Sequence, residues 1–215
     1  TDSKDAAVIA MLIRMGLSQR LLLPRGEFAE IRIYAKLREQ KMVELGVQRN
    51  ILHSQIDSIF PEYGGFFTKL ECKTSLHLLE RYTTPERFCK VGLVRLSAAI
   101  RKASRGQLSE HHARELLSAA KSTIGVREGV EAYATAIRET VGGISRILDE
   151  IEALDSKLKM GLSKIAYAEH LLSIRGIGPV TLAIILGETG DLRRYRKAEE
   201  VIKLAGLNLY EISSG

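Results

Sequence analysis

Hydrophobic residues recur every seven positions in two long stretches of the chain. The first stretch runs from Phe28 to Ile59 without a proline. Two rows of positions seven apart, here called seams, follow one side of this stretch, and eight of their ten positions are apolar. The first seam is Phe28, Ala35, Met42, Arg49 and Ile56, and the second is Ile31, Arg38, Leu45, Leu52 and Ile59. A sustained heptad pattern predicts one long helix that packs against a partner helix.

A second stretch with the same period extends from about Arg127 to Ala168. Its seams are Ile137, Ile144, Ile151, Leu158 and Ile165, and Thr140, Ile147, Leu154 and Gly161, with Glu150, Glu152, Lys157 and Lys159 off them. The two helices are predicted to form an antiparallel hairpin or an oligomeric coiled coil. Two amphipathic helices of an ordinary bundle would show the same periodicity.

Turn residues divide the chain between these stretches into shorter pieces. Phe60–Gly65 is predicted to be a loop, and Thr83–Arg87 a helix start with capping residues and a proline. Helices around Leu76, Leu93 and Leu116 are expected to pack as a small cap on the hairpin. No segment has a strong β pattern, so the expected fold class is mainly α: long coiled-coil-like helices, a small helical insertion and a C-terminal pair of short helices.

Composition and charge narrow the class of partner. With 215 residues and 45% hydrophobic content, the chain can bury a sizeable core. Its net charge of +6 favours a polyanion such as nucleic acid. Cys72 and Cys89 lack the spacing of a disulfide framework or zinc cluster and fit a reducing cytoplasm. No apolar run is long enough for a membrane span. A chain that starts at Thr1 and stops after Ser-Ser-Gly is expected to be an internal segment of a longer protein.

The stretch from Leu171 to Leu186 is predicted to form two short helices joined by a Gly-x-Gly turn. Gly176 and Gly178 can take positive φ and let a phosphate approach the main chain closely, and Pro179 fits the first turn of the second helix. Backbone amides without hydrogen-bond partners at that helix start would bind phosphate without regard to base sequence, and the candidate binding residues run from Arg175 to Thr181. An apolar helix pair with a glycine turn is an equally good interpretation of the motif alone.

Basic residues elsewhere are further candidates for phosphate contact. A cluster with an aromatic residue inside it follows an expected helix cap at Asp191, and a solvated helix start is its alternative interpretation. The cluster consists of Arg193, Arg194, Arg196 and Lys197. The middle of the chain also has a basic surface, which is more typical of a solvated helix face. Its residues are Arg95, Arg101, Lys102, Arg105 and Lys121.

Few residues suggest chemistry by themselves. Asp2 and Asp5 would share one side of a helix and could hold a divalent cation, although acids at a helix start more often cap it. Two carboxylates are too few for a magnesium phosphoryl-transfer site, so further ligands would come from outside this chain. His111 and His112 are adjacent and diverge on a helix, which indicates surface residues. Ser214 has no evident base beside it.

Several short motifs, in this order, resemble one family. They are Thr-Asp-Ser-Lys-Asp-Ala at 1–6, Ile-Arg-Gly-Ile-Gly-Pro-Val-Thr at 174–181, Gly-Glu-Thr-Gly-Asp at 187–191, and Ala-Gly-Leu at 205–207 leading to Ser-Gly at 214–215. Together they resemble the insertion-sequence one-ten transposases, which are RNA-guided bridge recombinases. The resemblance implies the end of a RuvC-like Asp-Glu-Asp-Asp domain at 1–20, a helical coiled-coil linker region at 21–168, and an incomplete helix-hairpin-helix transposase domain at 169–215.

The resemblance also implies a mechanism and partners. Asp2 and Asp5 would be magnesium ligands, and Ser214 would attack a DNA phosphate and become covalently attached. DNA, a structured guide RNA and further copies of the chain would be partners. The first Asp and the Glu of the acidic tetrad are absent, so this segment alone is expected to be inactive. Leu209 replaces a frequent proline, which leaves Ser213 as an alternative nucleophile.

Two other functions remain compatible with the sequence. One is a non-catalytic helix-hairpin-helix module that binds nucleic acid and mediates assembly. The other is a relative of RuvC-like junction nucleases. The Ser-Gly end argues against the second, because a purely metal-dependent nuclease needs no serine nucleophile.

Overall fold

The computed structural model describes residues 2–16 and 23–206, with side chains from residue 4 onward in these ranges. The described residues are mainly helical and include no strand, which confirms the mainly α fold class. The helices are α1 Asp2–Arg14, α2 Glu27–Ile59, α3 Lys73–Arg81, α4 Pro85–Ala103, α5 Glu110–Ser122, α6 Val130–Ser163, α7 Ala168–Leu172, α8 Pro179–Thr189 and α9 Ala198–Leu204. Short 3-10 helices cover Pro61–Phe66 and Leu192–Arg194.

The chain divides into two compact units. The middle unit consists of Lys36–Ser156, and the terminal unit consists of Thr1–Ala35 together with Lys157–Gly215. Helices α2 and α6 each contribute residues to both units. The functional boundaries expected near residues 20 and 168 are a different kind of division and stay a prediction.

In the middle unit, α2 and α6 pair in antiparallel directions. Arg38 forms an ion pair with Asp155, and the Nζ atom of Lys41 lies 2.7 Å from Glu150 Oε2. Residues later in α2 thus contact residues earlier in α6, so the two helices run antiparallel, as predicted for the hairpin. Both seams supply buried residues to one core, including Leu45, Leu52, Ile56, Ile59, Ile137, Ile144, Ile147 and Ile151.

Three positions of the α2 seam depart from simple apolar packing. Arg38 pairs with Asp155, and Arg49 Nη2 lies 2.7 Å from Oε1 of the buried Glu71. Met42 was expected in the seam but is 41% exposed. The heptad therefore places most of the buried face correctly, while the two arginines are accommodated by ion pairs across the core's edge.

Helix α6 ends at Ser163, five residues before the predicted end. The amides of Lys164 and Ile165 bond to carbonyls three residues back, Gly161 and Leu162, so the last turn tightens and the helix stops. Ile165 is nevertheless buried in the terminal unit. Its burial follows from the path of the chain after α6.

Helices α3, α4 and α5 pack as the expected cap on the hairpin. Phe60, Tyr63 and Phe88 form its aromatic centre, with ring centroids 5.6–5.9 Å apart. Thr84 caps α4 through its side chain, as predicted. The predicted loop at 60–65 is largely a 3-10 helix, because Pro61 presets the φ of its first position.

The terminal unit has its own core, in which α8 lies directly against α2. A Cβ added at Gly187 would stand 2.9 Å from the Cα of Arg32, so only glycine allows this approach. Arg32 also pairs with Glu188 at 3.0 Å. The core comprises Ile31, Leu158, Leu162, Ile165, Ala168, Leu182, Ala183 and Leu186. Over the parts of the chain described, no helix is long and apolar enough to cross a membrane.

Candidate nucleic-acid interface

Helices α7 and α8 are joined by a turn at residues 173–178 that carries both glycines of the motif. Gly176 is exposed and has φ +94°, a conformation that L side chains rarely adopt. Gly178 has φ −90° and ψ 170°, so this glycine does not use the positive φ that was open to it. It is the N-cap of α8 and precedes a proline, and both conditions require extended backbone.

The start of α8 presents backbone amides without acceptors. Pro179 occupies the first helical position as predicted, and the first internal bond runs from the Leu182 amide to the Gly178 carbonyl at 2.9 Å. The amides of Val180 and Thr181 precede that bond, and no side chain caps them among residues 23–206. Since α8 directs its positive dipole end to the same place, an anion there would be stabilised.

The turn is held by packing of its apolar members. The Ile177 amide donates to the Ile174 carbonyl at 3.0 Å, and Ile177 packs against the core of the terminal unit. Leu171 and Leu172 of α7 pack against the same core. The turn is thus anchored from both sides, while Gly176 and Thr181 are exposed and Gly178, Pro179 and Val180 are partly exposed.

Several of the predicted basic residues are open to a ligand. Arg175 is exposed directly before Gly176. Arg194, Arg196 and Lys197 are exposed as well, and none of the four forms an ion pair with another described residue. The structure therefore leaves their charges available in the terminal unit.

Arg193, by contrast, is engaged within the protein. Its Nη2 atom lies 2.8 Å from Asp191 Oδ2, and its guanidinium stands 5.5 Å from the ring centroid of Tyr167. Asp191 caps the following turn by accepting from the Arg193 amide, which confirms the predicted cap. The hydrogen bond from the Arg193 side chain is the main reason why the pKa of Asp191 falls to about 2. A phosphate would have to displace this pair before it could bind Arg193.

Tyr167 joins the same network. Its hydroxyl donates to Asp191 at 3.1 Å and accepts from the Leu192 amide at 3.0 Å. Partial burial raises the pKa of Tyr167, and the nearby Asp191 carboxylate raises it further. The network ties the segment after α8 to the start of α7.

The expected metal and nucleophile residues are only partly described. Asp5 lies exposed on α1. The side chain of Asp2 and the residues Ser213 and Ser214 lie outside the described residues. Within the described residues, no three His, Cys, Asp or Glu side chains gather as a metal site. The described part of the chain therefore lacks a complete ligand set for magnesium.

The two histidines have structural contacts that fit the predicted surface role. His112 Nδ1 accepts from the Ser109 amide at 3.3 Å at the start of α5. His111 is exposed and lies 3.2 Å from Glu115. Neither is part of a described site.

One further group of basic residues is exposed, as the interpretation as a solvated face expects. It consists of Arg95, Arg101, Lys102 and Arg105 in and just after α4. They lie in a segment, 87–109, that contains no Asp or Glu, a feature visible only when acids are counted along with bases.

Comparison with known proteins concerns the C-terminal part most directly. Residues 168–215 match the family model described as "Transposase IS116/IS110/IS902 family". The chain is 26% identical over 211 residues to the insertion element IS900 uncharacterized 42 kDa protein of Mycobacterium paratuberculosis, covering 96% of the chain and 52% of that protein. It is also 26% identical to the insertion element IS110 uncharacterized 43.6 kDa protein of Streptomyces coelicolor, over 100% of the chain and 54% of that protein.

The chain thus spans about half the length of these curated relatives. No solved structure matches it with significance. The exposed glycine turn, the start of α8 and the basic residues after it all fall inside the matched segment. Residues 168–215 are therefore similar to a transposase model of the IS116/IS110/IS902 family, in a chain that is similar to two insertion-element proteins along nearly its whole length.

Proposed function

We propose that this chain is part of a DNA recombinase that moves an insertion element. The observation that carries the proposal is the start of α8: inside the segment that matches the transposase family, two amides directly after the glycine turn have no hydrogen-bond partner among the described residues. Backbone amides and Arg175 suit a phosphodiester and do not distinguish bases. Sequence choice then comes from elsewhere, and we assign it to a guide RNA, as the family resemblance implies.

Ser214 is the proposed nucleophile, since it lies in the matched segment and in the family's Ser-Gly position. Its hydroxyl oxygen would form a bond to phosphorus while the DNA P–O bond breaks, and the released sugar oxygen would take up a proton. Attack by a second strand's hydroxyl on the phosphoserine ester would reverse these changes and rejoin DNA. Because the ester retains the phosphodiester's bond energy, no nucleotide cofactor is needed.

Magnesium enters this proposal only through Asp2 and Asp5. Carboxylates are suitable ligands for it, but two do not complete a site, and the described residues add no third group. We therefore derive no step through the metal. The proposal holds that these aspartates complete a ligand set with acids that are not in this chain.

The decisive experiment uses a transposase of the length of the relatives that contains this chain, with its RNA, DNA and magnesium. Ser214→Ala should abolish the covalent protein–DNA adduct on denaturing gels and leave DNA binding nearly unchanged. Asp2→Ala or Asp5→Ala should also suppress the adduct, with partial rescue at higher magnesium, which cannot rescue Ser214→Ala.

The matched control is Ser213→Ala, which should retain the adduct. An adduct lost with Ser213→Ala and kept with Ser214→Ala would move the nucleophile by one residue. If both variants form it, the serine mechanism is wrong. DNA binding without any adduct in the unmodified protein would favour the non-catalytic binding module.

A further inference from the structure

Helix α4 of the middle unit has an exposed cationic face that lies outside the segment matching the transposase family. From Arg87 to Ser109 the chain has six Lys or Arg and no Asp or Glu. Four of these cations lie in the second half of α4 or just after it, all exposed: Arg95, Arg101, Lys102 and Arg105. At 100° per residue the three cations within the helix, Arg95, Arg101 and Lys102, span roughly 120° of its surface.

The core of the middle unit fixes the orientation of this face. Leu96 and Ile100, on the opposite side of the second half of α4, are at most 1% exposed. A break in the helix at Gly92, which has φ +73°, separates the second half from the first. Arg95, Arg101 and Lys102 therefore lie on the solvent side of a short helix whose other face is buried, and Arg105 follows just after its end.

These cations have no acidic partner among the described residues, unlike several other basic residues of the middle unit. Arg38, Lys41 and Arg49 pair with Asp155, Glu150 and Glu71, and even Arg87, at the start of the acid-free segment, pairs with Glu131. The four cations of the α4 face form no ion pair with a residue in 23–206. The helix dipole accounts for cations in the last turn of α4 but not for Arg95, two turns earlier.

We propose that the α4 face binds the phosphate backbone of duplex DNA. The proposal rests on the proposed function, in which DNA is the substrate, and adds a second contact surface to it. From Arg95 to Lys102 the helical part of the face is about 10 Å long, which matches about three phosphates of one strand at 3.4 Å of axis each. Val94, which is 83% exposed, and Ala98 lie between the cations, and their small side chains keep the helix narrow on this side.

Duplex DNA fits this face better than other nucleic acids. Binding of single strands relies on aromatic side chains that stack on bases, and the exposed face has none. The major groove of B-DNA admits a helix, whereas the major groove of A-form RNA is too narrow for side chains to read. The absence of carboxylates and amides from the face points to backbone contact without sequence choice.

The test measures binding of a 20-base-pair duplex DNA to the chain by fluorescence anisotropy at a series of salt concentrations. One variant replaces Arg95, Arg101, Lys102 and Arg105 by Gln. A control variant replaces Lys36, Arg138, Arg146 and Lys159 by Gln, which removes the same charge from exposed positions on α2 and α6. Unchanged helical circular dichroism and melting temperature verify that both variants fold.

The α4 variant should lose about tenfold or more in affinity near 0.1 M salt, and the slope of log affinity against log salt should fall by about one per lost contact. The control should lose less than about threefold. If the α4 variant fails to fold, the combined variant Arg95→Lys, Arg101→Lys and Arg105→Lys should still bind, and Arg101→Gln alone should weaken binding. Equal losses in the α4 and control variants would reduce the effect to net charge and overturn the proposal.

Two further arms separate this inference from the proposed function. Tighter binding of duplex RNA or single-stranded DNA, lost equally in the α4 variant, would overturn the assignment to duplex DNA. An α4 variant that binds DNA normally contradicts the inference even if Ser214→Ala abolishes the adduct. A serine variant that still forms the adduct contradicts the proposed mechanism even if the α4 variant loses DNA.

Discussion

The same substitution at the two glycines of the turn should have opposite effects on stability. At Gly176, serine must adopt φ +94°, where strain costs about 1–2 kcal/mol, partly offset by about 0.4–1 kcal/mol from the reduced freedom of the unfolded chain. No atom lies within 4 Å of an added Cβ, so a clash adds nothing. We expect Gly176→Ser to lower the free energy of unfolding by about 1 kcal/mol.

At Gly178, serine meets neither strain nor a clash. The φ of −90° and ψ of 170° suit any L residue, and the space around an added Cβ is open to 4 Å. A serine at this N-cap can accept from the amide of Val180 or Thr181, which adds a few tenths of a kcal/mol over glycine. With the loss of unfolded-state freedom, Gly178→Ser should raise the free energy of unfolding by about 0.5–1 kcal/mol.

The stabilising substitution should nevertheless weaken DNA binding. The introduced hydroxyl would occupy the amides that the proposed function assigns to a phosphate. Gly178→Ala is the matched control, because it adds the Cβ without a competing acceptor and should leave affinity nearly unchanged. Urea unfolding followed by circular dichroism gives stability, and anisotropy with a 20-base-pair DNA gives affinity.

The expected stability changes and the expected loss of DNA binding can each be refuted separately. Equal destabilisation by the two serine substitutions would mean that the turn does not have this backbone conformation. If Gly178→Ser stabilises the protein and binds DNA as well as the unmodified chain, the amides of Val180 and Thr181 do not hold the phosphate.

Three further predictions concern packing, pH and salt. Ile151→Asp places a charge at a position that is 8% exposed in the middle unit and should lower the free energy of unfolding by about 3 kcal/mol or more in urea titrations. Ala153→Asp, on the exposed side of the helix, should change it little. If Ile151→Asp leaves both stability and sedimentation unchanged, the described packing is wrong. Because the pKa of Asp191 is lowered, its carboxylate contributes stability that is complete above the ordinary pKa of 3.8 and is lost as pH falls toward 2. With allowance for the exposed Arg193, melting experiments should show a loss of about 1 kcal/mol between pH 3.8 and 2. Asp191→Asn should not show this loss. Affinity for duplex DNA should fall steeply between low and physiological salt without base preference, and salt-independent binding would contradict a backbone-directed interface.

Local sequence determined the elements. The heptad from Phe28 to Ile59 sets a helix because one face must leave water, and α2 coincides with it to within one residue. Pro179 likewise marks the start of α8 because its ring fixes φ and costs no hydrogen bond there. The Asp191 cap could be predicted for the same kind of reason, since capping depends on the next two or three residues.

Tertiary structure decided what the elements meet. Periodicity shows which face is buried but not the partner, and contacts such as Lys41 with Glu150 establish that α2 pairs with α6 of the same chain. By sequence, Gly176 and Gly178 are equally free to adopt positive φ. In the structure only Gly176 has a positive φ, because Gly178 lies where the turn joins the helix and has extended backbone. Arg193 and Arg194 look alike in sequence, but a carboxylate and a tyrosine ring within reach of the first occupy it. These outcomes depend on distances between groups that periodicity and local propensity do not contain.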